Sequence, residues 1–188
     1  RRTDIPRLGM SYVVGDGTNA ELTSLGGPWS QAPIVDNTGV RFVNEYCHSL
    51  NYPSLIYRHA APYYCICGSD REDYAAILAN NVDDPAVTSA DTLEELADKL
   101  GFDKQAFLDC IAVYNAAKDT GVDAAFGARV DFMNFATVGP FYAVQIAPQY
   151  TGTIGGVVTD TSAQVLRADG TVIGGLYAAG EASNGALY

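Results

Sequence analysis

Positive charge is what this chain has least of. Its 188 residues carry 11 Lys and Arg against 22 Asp and Glu, a formal net charge of −11. Nucleic acid and an anionic membrane surface both repel such a protein, so neither is expected as a partner. An anionic small molecule is still acceptable where the few basic groups are gathered locally. Histidine is scarce too. His48 and His59 are the only two, which excludes a histidine-rich zinc site. The four cysteines, Cys47, Cys65, Cys67 and Cys110, contain no C-x-x-C pair. Cys65-Ile66-Cys67 reads as C-x-C on a strand, with the thiols expected on opposite faces and badly placed for a disulfide. They are expected to be small buried residues in a reducing compartment. No apolar run reaches the ~18 residues a membrane span needs. Arg1-Arg2-Thr3-Asp4 is followed by no apolar core, so the start reads as an internal cut rather than a signal peptide.

What is present fits a globular chain. A hydrophobic content of 48% with 18% charged residues supports a real core, and the length suits one domain or one domain plus part of another. Met10 to Val14 is a short β-like run leading into Gly15-Asp16-Gly17-Thr18-Asn19-Ala20. This satisfies the loose G-x-G-x-x-G/A dinucleotide pattern. The helix that follows, Thr18 to about Leu25, ends at Gly26-Gly27-Pro28 and is too short to cross back over a sheet. Ile34 to Glu45 reads as two strands about an Asn37-Thr38-Gly39 turn. The Tyr-, Pro- and His-rich stretch 46–64 holds Arg58 next to His59. Arg58 is the best single candidate for gripping a carboxylate, through its two-pronged guanidinium. Tyr63 to Cys67 reads as a strand, and Ser69 or Asp70 caps a helix to about Ala79.

Residues 82–127 form a separate helical unit. Thr92-Leu93-Glu94-Glu95 is a capping box, and Leu93, Leu96 and Leu100 share a face. Gly101 stops that helix and Asp103 caps a second, striped by Phe107, Leu108, Ile111, Val113 and Tyr114. Gly139 to Ala143 is a further strand. In the tail, Ala168-Asp169-Gly170 between β-branched runs is a hairpin signal. Gly155-Gly156 adjoins a short strand at Val157-Val158. The strand from Gly175 loses its side chains at Ala178-Ala179-Gly180 and stops on Glu181, where something can approach the backbone closely.

The run from Thr151 to Asp160 followed by Gly174 to Glu181 resembles the FAD-dependent oxidoreductases grouped with fumarate reductase and succinate dehydrogenase flavoproteins, which include the 3-ketosteroid Δ1-dehydrogenases. The resemblance implies an α+β fold: a capping domain plus partial, Rossmann-like β-elements of an FAD-binding domain. The expected division is 1–33 and 139–188 in the FAD domain and 34–138 in the cap. FAD is the implied cofactor. Gly155 and Gly156 would lie against the isoalloxazine ring, Gly180 and Glu181 would meet the ribityl or ribose hydroxyls, and Asp16 would contact FAD. The Ile34 to Glu45 element matches a family segment. There Glu45 is either a proton relay or a structural partner of Arg41, and His48 stands where fumarate reductases keep an arginine. Arg71 lies near the position of their proton-donating arginine.

Several departures from the family pattern bear on the substrate. Thr151 and Gly152 replace a histidine pair, and a His-Pro segment is absent, so fumarate itself is not the expected substrate. Tyr188 stands where ketosteroid dehydrogenases place a carbonyl-polarising tyrosine. The implied activity is hydride transfer between FAD and a carbon next to a carbonyl or carboxylate of a small molecule, with the chain an internal fragment that holds FAD weakly or not at all. Its electron-transfer partner is not indicated. A cytoplasmic or cell-envelope location of bacterial type would fit. The competing reading is a non-catalytic binding or assembly module using 46–64 as its surface.

Overall fold

In the computed structural model, residues 5–11, 31–46, 58–154 and 156–183 are described. In chain order the elements are β1 (Ile5–Ser11), β2 (Ile34–Val35), β3 (Tyr63–Cys67), α1 (Glu72–Asn80), β4 (Val87–Ala90), α2 (Leu93–Leu100), α3 (Lys104–Thr120), β5 (Phe141–Ile154), β6 (Gln164–Leu166) and β7 (Val172–Tyr177). The expected helix from Thr18, together with Asp16, Cys47, His48, Gly155 and Tyr188, lies outside the described residues. The chain divides into two compact units, Gly9–Gln149 and Arg1–Leu8 with Tyr150–Tyr188. Among the described residues, no helix is long and apolar enough to cross a membrane.

The larger unit is built on β5. Val144 pairs antiparallel with Cys65 of β3 and with Val87 of β4, so β5 is central there, and β2 continues the sheet beyond β3. Side chains alternate across this sheet. Tyr63, Cys65, Cys67, Val144 and Ile146 face one core together with Leu78 of α1. Ile66, Phe141 and Ala143 face the other with Leu96, Phe107 and Ile111 of α2 and α3. The two thiols of C-x-C therefore share a face, contrary to the expectation above. Residues i and i+2 of a strand point the same way, and it is Ile66 between them that points away. Both thiols are buried and neither is in a disulfide, and the hydrogen bond with Cys65 together with burial pushes the Cys67 thiol well up.

The helices start where their caps place them. Thr92 accepts from the Glu95 amide (3.1 Å) while the Glu95 carboxylate accepts from the Asp91 amide (3.1 Å). Gly101 closes α2 in the left-handed region, φ 69°, and Asp103 caps α3 by accepting from the Ala106 amide. The stripe of α3 is Phe107, Ile111, Tyr114 and Ala117, each large side chain contributing about 1.5–3 kcal/mol by leaving water. Val113 is not on it, being 46% exposed. At α1 neither Ser69 nor Asp70 serves as cap. Ser69 Oγ donates to the Pro140 carbonyl (2.8 Å). Asp70 accepts from the amides of Thr137 (2.7 Å) and Val138 (3.0 Å), from the Thr137 hydroxyl, and from Lys118. A long-range partner with three donors has outbid the local helix end.

The expected second strand after Asn37-Thr38-Gly39 shrinks to a single bridge, Val35 to Arg41. Asp36 sets this geometry, since one of its oxygens accepts from the Thr38 amide, the Thr38 hydroxyl and the Val40 amide (2.9, 2.6 and 3.4 Å). Gly39 has φ 86°, and a Cβ there would lie 2.8 Å from Cγ of Phe102.

In the smaller unit β6 and β7 form the expected hairpin. Gly170 turns it with φ 85°, Arg167 and Thr171 close it (2.8 Å), and Asp169 accepts from the Thr171 amide and hydroxyl. Residues 156–158 carry no strand, and pairing resumes at the Thr159–Val165 bridge.

Gly39→Ala combines a disfavoured φ with a clash. It should destabilise the chain by roughly 1–3 kcal/mol, read as a lower urea midpoint, whereas Gly170→Ala, whose Cβ meets nothing within 4 Å, should cost less.

Candidate flavin site and the charged core of the larger unit

In the smaller unit the expected site begins with backbone. Gly156 and Val157 leave the β5 end, and the chain returns 25 residues later in the 3-10 turn Gly180–Ala182. The Val157 amide donates to the Ala182 carbonyl at 3.0 Å, which joins the two segments. Around this junction lies a cavity of about 580 Å³ lined by Gly156, Val157, Val158, Leu166, Arg167 and Ala182. Gly180 takes φ 64° and a Cβ there would meet nothing within 4 Å. Glu181 is exposed on the same turn. Gly156 and Ala182 thus share one cavity, and Gly180 and Glu181 immediately precede Ala182 on the turn. The wall is largely glycine, valine and alanine, with Leu166 and Arg167, so much of it is side chains small enough for a flat group to approach the backbone.

In the larger unit the site residues sit among charges. Arg41 is 4% exposed, Glu45 2% and Asp123 3%. Arg41 Nε and Nη2 donate to the two oxygens of Glu45 (2.8 and 2.6 Å), and Nη1 and Nη2 to those of Asp123 (2.9 and 3.0 Å). The guanidinium also lies over the rings of Tyr114 and Phe126, 4.7 and 4.8 Å from their centroids. The Ile34 amide adds a hydrogen bond to Glu45 (3.0 Å), and the Ala128 amide one to Asp123 (3.0 Å).

Two carboxylates on one cation do not fare alike. Burial pushes Glu45 up by more than Arg41 draws it down. Burial works against Asp123 as well, but the Arg41 hydrogen bond and the Ala128 amide outweigh it and hold that carboxyl below its ordinary range. Of the two readings of Glu45, the contacts are those of the structural partner of Arg41.

Arg58 precedes β3 and Arg71 follows it, and a five-residue strand spans roughly 15 Å. Arg71 is bound to its neighbour Asp73 (2.6 and 3.2 Å) and lies 3.7 Å over the Tyr74 ring. Arg58 is exposed. Sequence reading missed Asp123 and the pair Asp36–His59, whose Oδ2 and Nδ1 are 2.9 Å apart. The Asp36-Asn37-Thr38-Gly39 turn signal was available, but nothing in the spacing of 23 residues announces His59. Among the described residues, no group of three His, Cys, Asp or Glu could hold a metal ion.

The profile of a family described as FAD binding domain matches residues 18–187. The chain belongs to this family. It is 37% identical to the NADH:acrylate oxidoreductase of Vibrio harveyi over 95% of its own length, which is 19% of that protein. A solved open conformation of a flavocytochrome c3 fumarate reductase superposes with a TM-score of 0.64 at 27% identity, covering 96% of this chain and 32% of that one. The 3-ketosteroid Δ1-dehydrogenase of Sterolibacterium denitrificans shares the fold, with a TM-score of 0.65 at 21% identity over 95% of this chain and 38% of that one. FAD is the cofactor of the family, and the chain spans well under half the length of each of these relatives.

Arg41→Met leaves two buried carboxylates without their cation and should cost about 3–5 kcal/mol, whereas Glu45→Gln, which keeps a hydrogen-bonding side chain, should cost about 1–3 kcal/mol. Urea titration of both variants separates these outcomes. Acid should also unfold the chain. Burial opposes the ionised forms of Asp36, Asp70 and Asp123, yet their hydrogen bonds outweigh it and depress all three. The stability they contribute is complete above the ordinary carboxylate range and is lost as pH falls through the folded values. Glu45, raised, has the opposite sign: its contribution is present at low pH and lost as pH rises. With three against one, the urea midpoint should fall between about pH 5 and about pH 2.

Proposed function

We propose that this chain is the cap and one edge of the flavin site of an FAD-dependent oxidoreductase that transfers a hydride to or from a carbon beside a carboxylate. The observation that supports the reading is the junction of Val157 with Ala182, which sets Gly156 and Ala182, the neighbour of Glu181 in the chain, on one cavity. FAD, when bound, supplies the two-electron chemistry. Gly155 and Gly156 would lie along the ring, Gly180 and Glu181 would take its hydroxyl-bearing chain, and Asp16 would add a contact. The proposed division is cap over 34–138 and FAD domain over 1–33 and 139–188.

A small unsaturated monocarboxylate is the favoured substrate. The acrylate-acting relative matches along nearly the whole chain, and the residues with which fumarate reductases hold a second carboxylate are replaced here at Thr151 and Gly152. The economy of positive charge points to Arg58 as the group that holds the carboxylate. Arg41, Arg71, Lys104 and Lys118 are in ion pairs with Glu45, Asp73, Asp98 and Asp70. Lys99 and Arg167 donate to the carbonyls of Ser89 and Val172, and Arg129 lies over Phe132 and near Asp131. Arg58, exposed, makes no such contact with a described residue. Arg71 and Tyr188 remain candidates for proton exchange or carbonyl polarisation, with His48 beside Glu45 in sequence.

The parent protein should purify yellow and bleach with dithionite. Acrylate, longer 2-enoates, fumarate and ketosteroids, offered in turn to the reduced and the oxidised protein, test the substrate class. Arg58→Gln is expected to raise KM for the acid at least tenfold while the colour stays. A colourless parent would favour the binding-module reading; turnover of ketosteroids but no acid would move the substrate to the ketone.

A further inference from the structure

Another cavity, of about 350 Å³, lies wholly within the larger unit, beside β4 and α2. Ser89, Asp91, Glu95, Lys99 and Tyr142 line it, and Ala79 and Val82 belong to its apolar part. Among the described residues three tyrosines are buried, Tyr63, Tyr114 and Tyr142, and Tyr142 is only 4% exposed. A buried tyrosine hydroxyl ordinarily finds a partner. Those of Tyr63 and Tyr114 donate to the His59 and Gln31 carbonyls (2.8 and 2.6 Å). The Tyr142 hydroxyl has no hydrogen-bond partner among the described residues, although the side chain borders the cavity. Burial pushes its pKa up, so it remains a donor. Ser89 lies directly opposite Tyr142 in the β4–β5 pairing, which puts both side chains on one face of the sheet. Its hydroxyl is likewise unengaged among the described residues.

The charges on this cavity do not neutralise one another. Glu95 stands four residues before Lys99, a spacing at which helical ion pairs ordinarily form. Lys99 Nζ instead donates to the Ser89 carbonyl (2.7 Å), and Glu95 accepts from the Asp91 amide (3.1 Å). Ala90 separates these two anchoring points, and the ammonium and the carboxylate stand farther apart than the ~4 Å of an ion pair. The cavity therefore has a donor pole, made of the Lys99 ammonium and the hydroxyls of Ser89 and Tyr142, and an acceptor pole, made of Asp91 and Glu95. A simple anion meets two carboxylates there, and a simple cation meets Lys99. A molecule carrying one charge of each sign satisfies both poles.

We propose that this cavity binds a small zwitterion, an amino acid with a short side chain. Its carboxylate would accept from Lys99, Ser89 and Tyr142, its ammonium would donate to Asp91 and Glu95, and Ala79 and Val82 leave room for little more than a methyl group. The site is independent of the reaction proposed above and does not involve the smaller unit.

Titration of the ¹⁵N-labelled chain with alanine and β-alanine tests this. Both should shift the amides of Ser89 to Asp91 saturably, with Kd on the order of 1–10 mM. Propionate and propylamine, which carry one pole each, should bind at least about tenfold more weakly. Lys99→Met and Asp91→Asn should each weaken alanine about tenfold, and Tyr142→Phe about threefold to tenfold. Tyr142→Phe should also leave the urea midpoint unchanged, because its hydroxyl has no bond to lose, whereas Tyr114→Phe should lower it. No saturable shift with either amino acid at about 50 mM overturns the proposal. Propionate or propylamine binding as well as alanine overturns it too, since one pole then suffices, as does full affinity in Lys99→Met. A midpoint that falls in Tyr142→Phe as far as in Tyr114→Phe removes the idle hydroxyl on which the site is built.

Discussion

The larger unit depends on one buried cation. Arg41 has no water to solvate it, so the fold must surround it with carboxylates and ring faces, and it does so from segments remote in sequence. Asp123 arrives from 82 residues away, Glu45 from the next turn of chain, and Tyr114 and Phe126 from α3 and the loop after it. Buried pairs of this kind repay little more than their own desolvation. What they impose is geometry: any packing that separates segment 31–46 from α3 or from the loop at 123–128 strands a charge. Tyr114 adds to the same fixation by donating to the Gln31 carbonyl at 2.6 Å. That fixed segment carries the Asp36 turn, and through it His59.

The same economy bears on the proposed anionic substrate. With few cations and many carboxylates, most Lys and Arg side chains are consumed by nearby acids or carbonyls. Each such pair on the surface contributes little to stability, but together they occupy most of the described cations. Among the described residues Arg58 is left without such a pairing, which is why it is proposed to hold the carboxylate. The smaller unit works by the opposite means. Its cavity wall is mostly small apolar residues with one arginine, so the proposed flavin contact there rests on shape more than on side-chain chemistry. The hydride chemistry belongs to the cofactor, so a site of this kind needs shape on one side and a few placed polar groups on the other.

Much of this was legible from local pattern. The capping box at Thr92, the glycine stop at Gly101, the Asp169-Gly170 hairpin and the strand at Tyr63 are all short-range decisions, made by residues within four positions of one another. Where local signals erred, a distant partner had intervened. Asp70 left the helix end for Thr137 and Val138 because two amides, a hydroxyl and Lys118 together outbid one helical N–H. The C-x-C thiols were misassigned for a different reason, since strand alternation itself places i and i+2 together. Val113 was counted into the stripe of α3, although the buried positions step through Phe107, Ile111, Tyr114 and Ala117 and leave it outside.

The sequence alone determined the family, through glycines and an acid whose spacing along the chain is itself the signal. It also determined the helix ends and the turn at Gly170, because dihedral limits and capping hydrogen bonds are local. Tertiary structure decided which charges meet. Asp123 stands 82 residues from Arg41 and Asp36 23 residues from His59, and no local rule links positions so far apart. Only burial, which makes an unpaired charge too costly to leave in the core, selects them.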